Sequence, residues 1–333
     1  VVSVTPILLD SRYRLLVSAY ARLHRSKRGR WALAAGTGAG TLALAALATR
    51  HFATMSWPLS SRQPGVLVAA ALLLVLAQAL KAFGWGRLFT PSERPGVVAL
   101  AAGNGGAALV GILLPGRFDD AMRIAVVRRF PNCPAGVRVL CLSLVMLGLI
   151  DCVALAPLAL AGAVLAGSGT GVRIGLAIVA AAGVASAALI SVLPQVAASR
   201  RTLRFRLGRW VSTRTTSPRH ASQSWALVSA CWYVRAVAFF LLLGALGVGY
   251  SLSLALLFLC AGAAAAALPL GLAGAATQAG AGGAALVATG IDASEALRVA
   301  VSIGVLGVLT GTAVLMAAIV WKGGVVLLPR VFA

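Results

Sequence analysis

Residues 104–129 read NGGAALVGILLPGRFDDAMRIAVVRR, and the reading of this stretch decides the fold. Up to Leu114 the chain is apolar enough for a bilayer. Pro115 then removes a backbone donor and Gly116 removes the side-chain constraint, which predicts that the helix breaks at 115–116. Directly after the break come Arg117, Asp119, Asp120 and Arg123. In lipid, a broken helix is tolerated only where protein or a water-filled cavity satisfies the freed backbone groups. The stretch therefore reads as the lining of a polar cavity inside a membrane protein.

Composition agrees. Of 333 residues, 60% are hydrophobic and 11% charged, against about 25% charged in soluble domains. A net charge of +22 would suit nucleic acid if it formed a basic soluble face, but here the arginines sit in short segments between long apolar runs. The positive-inside rule accounts for them, and nucleic acid is excluded as a partner. Cys133, Cys141, Cys152, Cys231 and Cys260 form no Cys-x-x-Cys pair, and His24, His51 and His220 lie far apart, so neither a disulfide framework nor a metal site is indicated. No phosphate-cradling Gly-x-x-x-x-Gly-Lys loop is present, and no cofactor is expected.

Residues 1–30 are basic, with Leu15, Leu16, Ala19 and Leu23 at near-helical spacing. They form either an amphipathic segment on the anionic cytoplasmic leaflet or a basic tail that only sets orientation. Apolar runs follow at Trp31–Thr49, Gly65–Phe83, Val97–Leu114, Val137–Leu165, Val172–Leu193, Trp225–Leu246, Leu252–Leu268 and Ala293–Val320. If all of them crossed from a cytoplasmic N-terminus, the linker 195–223, the most basic in the chain, would lie outside. That violates the orientation rule. The conflict disappears if 97–130 is a re-entrant hairpin opening to the cytoplasm, and 251–290, which has no lysine or arginine, is a second one opening outward. The expected architecture is then all-α and polytopic, with about six spanning helices, two opposed re-entrant hairpins and both termini cytoplasmic. Residues 31–325 form a single transmembrane domain.

An internal repeat supports this topology. Leu114 and Pro115 recur as Leu268 and Pro269, 154 positions later, and the same offset carries Lys81 onto Arg235. The repeat halves, about 65–166 and 224–320, would run in opposite directions, a plan that in transporters places the site between interrupted helices near the midplane.

Ionisable groups at membrane depth are costly, so each needs a partner or a role. Asp119 and Asp120 fall in the first turn of a helix after Gly116, where the helix dipole favours carboxylates, and Asp120 can pair with Arg123 three residues on. The cluster either stabilises the hairpin tip or presents arginines to a lipid phosphate, with the aspartates holding them in place or meeting a cationic headgroup. Lys81, near the end of its run, is expected to snorkel. Arg235 lies about 15 Å inside its run and is expected to face the cavity. Asp151 is as deep and could be neutral, paired or a proton carrier. Arg298 reads as an interfacial anchor or hairpin partner. The second hairpin is uncharged, with Gln278 its one strongly hydrogen-bonding side chain, so one cavity wall would be polar and the other smooth.

These residues resemble a known family. Pro115, Arg117, Asp119 with Asp120, and Arg123 look like the Pro, Arg, Gly-Glu, Arg signature of the transmembrane domain of lysylphosphatidylglycerol synthases, the multiple peptide resistance factor, and of related stand-alone membrane proteins. Asp-Asp replaces the usual Gly-Glu. Asn104, Asp151 and the segment Pro269 to Gln278 also fit, over roughly residues 30–325, while Gly148 stands where members often carry an arginine. The resemblance implies binding or movement of phospholipids across the bacterial inner membrane, and a flippase-like part without the aminoacyl-transfer enzyme. The expected lipid-contacting residues are thus Asn104, Pro115, Arg117, Asp119, Asp120, Arg123, Asp151, Arg235 and Gln278, and the expected ligand is an anionic phospholipid or polyprenyl-phosphate-linked lipid. The alternative is a scaffold of envelope polysaccharide or glycolipid synthesis acting with a glycosyltransferase. A catalytic role is not expected, because the adjacent Asp119 and Asp120 point about 100° apart on a helix.

Overall fold

A computed structural model describes residue 59 and residues 63–113, 118–130, 133–165, 170–197, 218–267 and 274–331. The basic segment 1–30, the first apolar run, the tip residues Pro115 and Arg117, the Leu268–Pro269 break and most of the basic linker lie outside them. The described residues are helical: α1 (Pro64–Gly86), a 3-10 turn (Pro91–Glu93), α2 (Val97–Leu113), α3 (Phe118–Arg129), α4 (Val137–Leu165), α5 (Thr170–Ala197), α6 (Pro218–Ala245), α7 (Leu252–Ala267), α8 (Gly274–Ala288) and α9 (Ala293–Val331).

Five of these, α1, α4, α5, α6 and α9, contain stretches long and apolar enough to cross a membrane. They coincide with five of the six expected spans, the sixth being the run at 31–49. By contrast the described parts of α2, α3, α7 and α8 have 17, 12, 16 and 15 residues, each bordering on residues 114–117 or 268–273, which lie outside the described residues. The chain is a multi-pass membrane protein. Large apolar side chains such as Leu72, Val164, Ile178, Val184 and Val320 stand exposed on the spans, as a lipid solvent allows.

Local chemistry sets the helix ends. Pro64 and Pro218 open α1 and α6, where the missing N–H has no helical acceptor to lose. The ends of α6 and α8 each turn through a glycine at φ +92°, Gly247 and Gly290. The next residue's N–H returns to a carbonyl five positions back, Val248 to Leu243 and Ile291 to Leu286, which satisfies carbonyls the helix leaves over. Two ends exceed the apolar runs. The first turns of α6, over Arg219 and His220, and the last of α9, beyond Val320, are helical because hydropathy reports where lipid begins and backbone hydrogen bonding continues past it.

With lipid on the outside there is little hydrophobic force between spans, and close backbone approach at small residues holds them together. α1 and α6 pack antiparallel. A Cβ on Gly84 would lie 3.3 Å from the Ser224 carbonyl, and at the other end Tyr250 donates its hydroxyl to Gln63 Oε1 at 2.5 Å. α2 lies against α9 at Gly105 and Gly311, and α4 against α5 at Gly183. α2 folds back on α3 at Gly103 and Gly106, while α7 folds on α8 at Gly262 and Gly282. Two apolar cores result. Trp85, Leu147, Ile150 and Trp232 belong to the first, with Val127 of α3 and Leu256 of α7; Leu74, Leu242, Phe258 and Val299 belong to the second. The α1–α6 pair runs through both.

Candidate functional site

The charged residues gather in two clusters. In the first, α3 begins with Asp119 and Asp120 and ends with Arg128 and Arg129, each charge at the end the helix dipole favours. Asp120 Oδ1 accepts a hydrogen bond of 2.6 Å from Arg123 Nη1, and Asp119 Oδ2 lies 3.6 Å from Nη2 of the same guanidinium. The expected Asp120–Arg123 pair is thus present, with Asp119 as a second partner. Arg123 Nε is buried, with no hydrogen-bond partner among the described residues. On the facing helix, a Cβ at Gly103 would sit 3.3 Å from the Arg123 carbonyl, so α2 and α3 touch backbone to backbone here.

The adjoining residue on α2 is Asn104, which is 3% exposed, and neither its Nδ2 nor its Oδ1 has a partner among the described residues. A buried amide left unsatisfied costs roughly 1–3 kcal/mol. Gly103, Gly105 and Gly106 flank it and seat α2 on both α3 and α9. Asn104, Asp119, Asp120 and Arg123 are therefore brought onto one helix pair.

The second cluster joins three spans. Asp151 is the central residue of the 29-residue α4. Lys81 Nζ of α1 donates to its Oδ2 at 2.8 Å, and Trp232 Nε1 of α6 donates to its Oδ1 at 2.8 Å. Lys81 is 8% exposed and lies 5.7 Å from the centre of the Trp232 ring, and the Arg235 guanidinium stacks at 5.0 Å from that centre. One turn from Lys81, Trp85 Nε1 donates to Ser143 Oγ at 2.9 Å, and Ser143 passes its own proton to the Leu140 carbonyl at 2.8 Å. Each indole N–H and each carboxylate oxygen is satisfied.

The expectation that Lys81 snorkels is corrected here. Its ammonium turns inward because a carboxylate on the neighbouring span offers more than the distant interface. Of the three roles open to Asp151, the geometry is that of the paired carboxylate. Arg298 holds α9 to the end of α6, donating from Nη2 to the Leu246 carbonyl and lying 3.8 Å from Glu295, which accords with an anchor. Gln278 is exposed on α8, and no described hydrogen bond joins it to either cluster. A Cβ at Gly262 of α7 would lie 3.1 Å from the Gln278 backbone carbonyl. A Cβ at Gly148, three residues before Asp151 on α4, would meet nothing within 4 Å.

Trp232 was not singled out from the sequence, yet it joins Asp151 to Arg235. A tryptophan three residues before a deep arginine on one helix face is the signal that could have found it.

No curated protein and no solved structure matches the chain. A family model does, over most of the length and over both clusters: residues 23–321 match the lysylphosphatidylglycerol synthase TM region. The chain belongs to that family.

Proposed function

We propose that this protein binds a phosphate-bearing lipid, an anionic phospholipid or a polyprenyl-phosphate-linked intermediate, and passes its headgroup across the bacterial inner membrane. The chain acts as a carrier and not as an enzyme. The observation that carries the reading is the α2–α3 pair, folded back on itself, on which the Asn104 amide and the Arg123 Nε both lie buried without a partner among the described residues.

In this reading α2–α3 and α7–α8 are re-entrant hairpins that enter from opposite faces, the first polar and the second smooth. Three features support the inverted arrangement. α1 and α6 are antiparallel. The contacts α2 to α9 and α4 to α7 correspond under exchange of the halves, and so do α1 to α9 and α6 to α4. Lys81 and Arg235, equivalent by the 154-residue offset, lie over one indole ring.

The headgroup phosphate meets Arg123 and the masking carboxylates Asp119 and Asp120 exchange with it. A guanidinium already neutralised by aspartates can sit in apolar surroundings and still take a phosphate by two parallel hydrogen bonds when the carboxylates yield. The Asn104 amide offers a donor and an acceptor to the same headgroup. Arg117 and Pro115 at the hairpin tip, and Gln278 on the facing hairpin, complete the expected path.

The test is transport in proteoliposomes of phosphatidylethanolamine and phosphatidylglycerol carrying a headgroup-labelled phosphatidylglycerol, read as the fraction quenched by an impermeant reductant. Arg123→Ala should lower the rate by about tenfold or more, the loss of one charged bidentate contact worth roughly 1.5–3 kcal/mol. Wild-type rate in a folded Arg123→Ala protein removes the site.

A further inference from the structure

Lys81 and Trp232 each donate to one oxygen of Asp151, which ties the carboxylate to both neighbouring spans. Lys81 and Asp151 cancel in charge. What remains is Arg235, half-buried near the middle of α6, with no ion pair or hydrogen bond among the described residues and only the face of Trp232 against it. A guanidinium carries five N–H donors, and stacking on a ring occupies none of them.

We infer that Arg235 is an anion station for a phosphate oxyanion, separate from the α2–α3 hairpin, and that Trp232, Asp151 and Lys81 are positioning residues that fix it. Lys81 sets the Asp151 carboxylate, which holds the indole N–H and so fixes the ring plane. The ring in turn seats the guanidinium, whose N–H donors make no hydrogen bond among the described residues. The order of the contacts carries this: every polar group from Lys81 to the ring is satisfied, and the one unsatisfied group is the last. A purely structural ion-pair cluster would close on itself, with Arg235 paired to a carboxylate. Cation–π attraction strengthens where water is excluded, which makes a ring an effective seat for an arginine that has no anion of its own until a ligand arrives. The inference rests on the lipid-handling reading and adds a second place on the path where phosphate pauses. Asp151, expected from sequence to touch lipid, becomes a residue that acts through Trp232.

The experiment is binding of dioleoylphosphatidylglycerol to the delipidated full chain in detergent, with dioleoylglycerol as the phosphate-free control. Arg235→Gln should weaken binding of the phospholipid about tenfold and leave the control unchanged. Arg235→Lys should weaken it nearly as much, since an ammonium lacks the planar fork. Trp232→Leu should weaken it by a similar factor, and Trp232→Leu with Arg235→Gln no further than either alone. Packing roles for the two residues would instead multiply the losses, and multiplied losses overturn the inference, as does wild-type affinity in Arg235→Gln. If Trp232→Leu does not fold, Trp232→Phe serves. It keeps a ring and loses the N–H to Asp151, so about a threefold loss is expected, one that vanishes in the Arg235→Gln background; no loss against wild-type Arg235 overturns the positioning role. Inorganic phosphate that displaces the lipid from wild type but not from Arg235→Lys identifies a site for free phosphate as well. Phosphate that fails to compete, with the Arg235 dependence intact, identifies a lipid-only site. The two readings fail separately: Arg123→Ala reports on the hairpin, and Arg235→Gln on this station.

Discussion

Lys81 and Asp151 show what a membrane interior does to a pair of opposite charges. The ammonium and carboxylate are 10% and 18% exposed as side chains, and removing one partner would leave the other unpaired in a medium that cannot solvate it. Lys81→Met or Asp151→Ala should therefore destabilise the fold by about 3 kcal/mol or more in reversible detergent unfolding. Lys81→Met combined with Asp151→Leu should recover most of that loss. A double variant as unstable as the worse single one would show that the Trp232 N–H, left without Asp151, matters more than the ion pair.

The same residues mark how far the sequence could be read. Asp120 and Arg123 are three apart on one helix, so their pairing was legible from spacing alone. Lys81 and Asp151 are 70 positions apart, and their pairing depends on which spans touch, which no local pattern encodes. The depth of Asp151 left it open to being neutral, paired or a proton carrier. Reading Lys81 by its distance from the helix end concealed the pairing. The unpartnered state of Asn104 was likewise invisible, because it depends on the three glycines that press α2 against its neighbours.

At the scale of elements, the five spans follow from hydropathy, while the expected break at 115–116 lies outside the described residues. The packing partners do not follow, because glycine reports only that something comes close. A Cβ at Gly105 would fall 2.5 Å from the Gly311 carbonyl, and one at Gly183 2.6 Å from the Cys152 carbonyl, both backbone atoms that cannot swing aside. Gly105→Leu should thus separate α2 from α9 and lower the unfolding temperature by several degrees, as an overpacked contact costing about 1–3 kcal/mol would. Gly148→Leu, which meets open space, should leave it unchanged.

The start of α9 gives a pH-dependent companion to this. Asp292 accepts a hydrogen bond from the Ser294 N–H at 2.9 Å and another from its hydroxyl, and these hold the carboxyl below its ordinary range. A carboxyl whose folded pKa is depressed stabilises the fold above its unfolded pKa and loses that contribution as pH falls through the folded value. Asp292→Ala should lower thermal stability at neutral pH and make no difference well below the ordinary carboxylate range. A difference that persists there would mean that the cap acts through something other than charge.

For the whole molecule, the proposed topology rests on charge distribution: with hairpins of opposite entry, the basic linker 195–223 falls on the cytoplasmic side, as the orientation rule requires. Transport between two opposed hairpins depends on that arrangement, and side-specific thiol labelling in sealed vesicles tests it most directly. With the other cysteines removed, Ser92→Cys and the native Cys133 flank the first hairpin, and Leu252→Cys and Ala293→Cys flank the second. The first two, together with Ser217→Cys at the end of the basic linker, should react with an impermeant reagent only from the cytoplasmic face, and the last two only from the outer face. Labelling of residues 92 and 133 from opposite faces would mean that α2 and α3 cross the bilayer, and would contradict the hairpins.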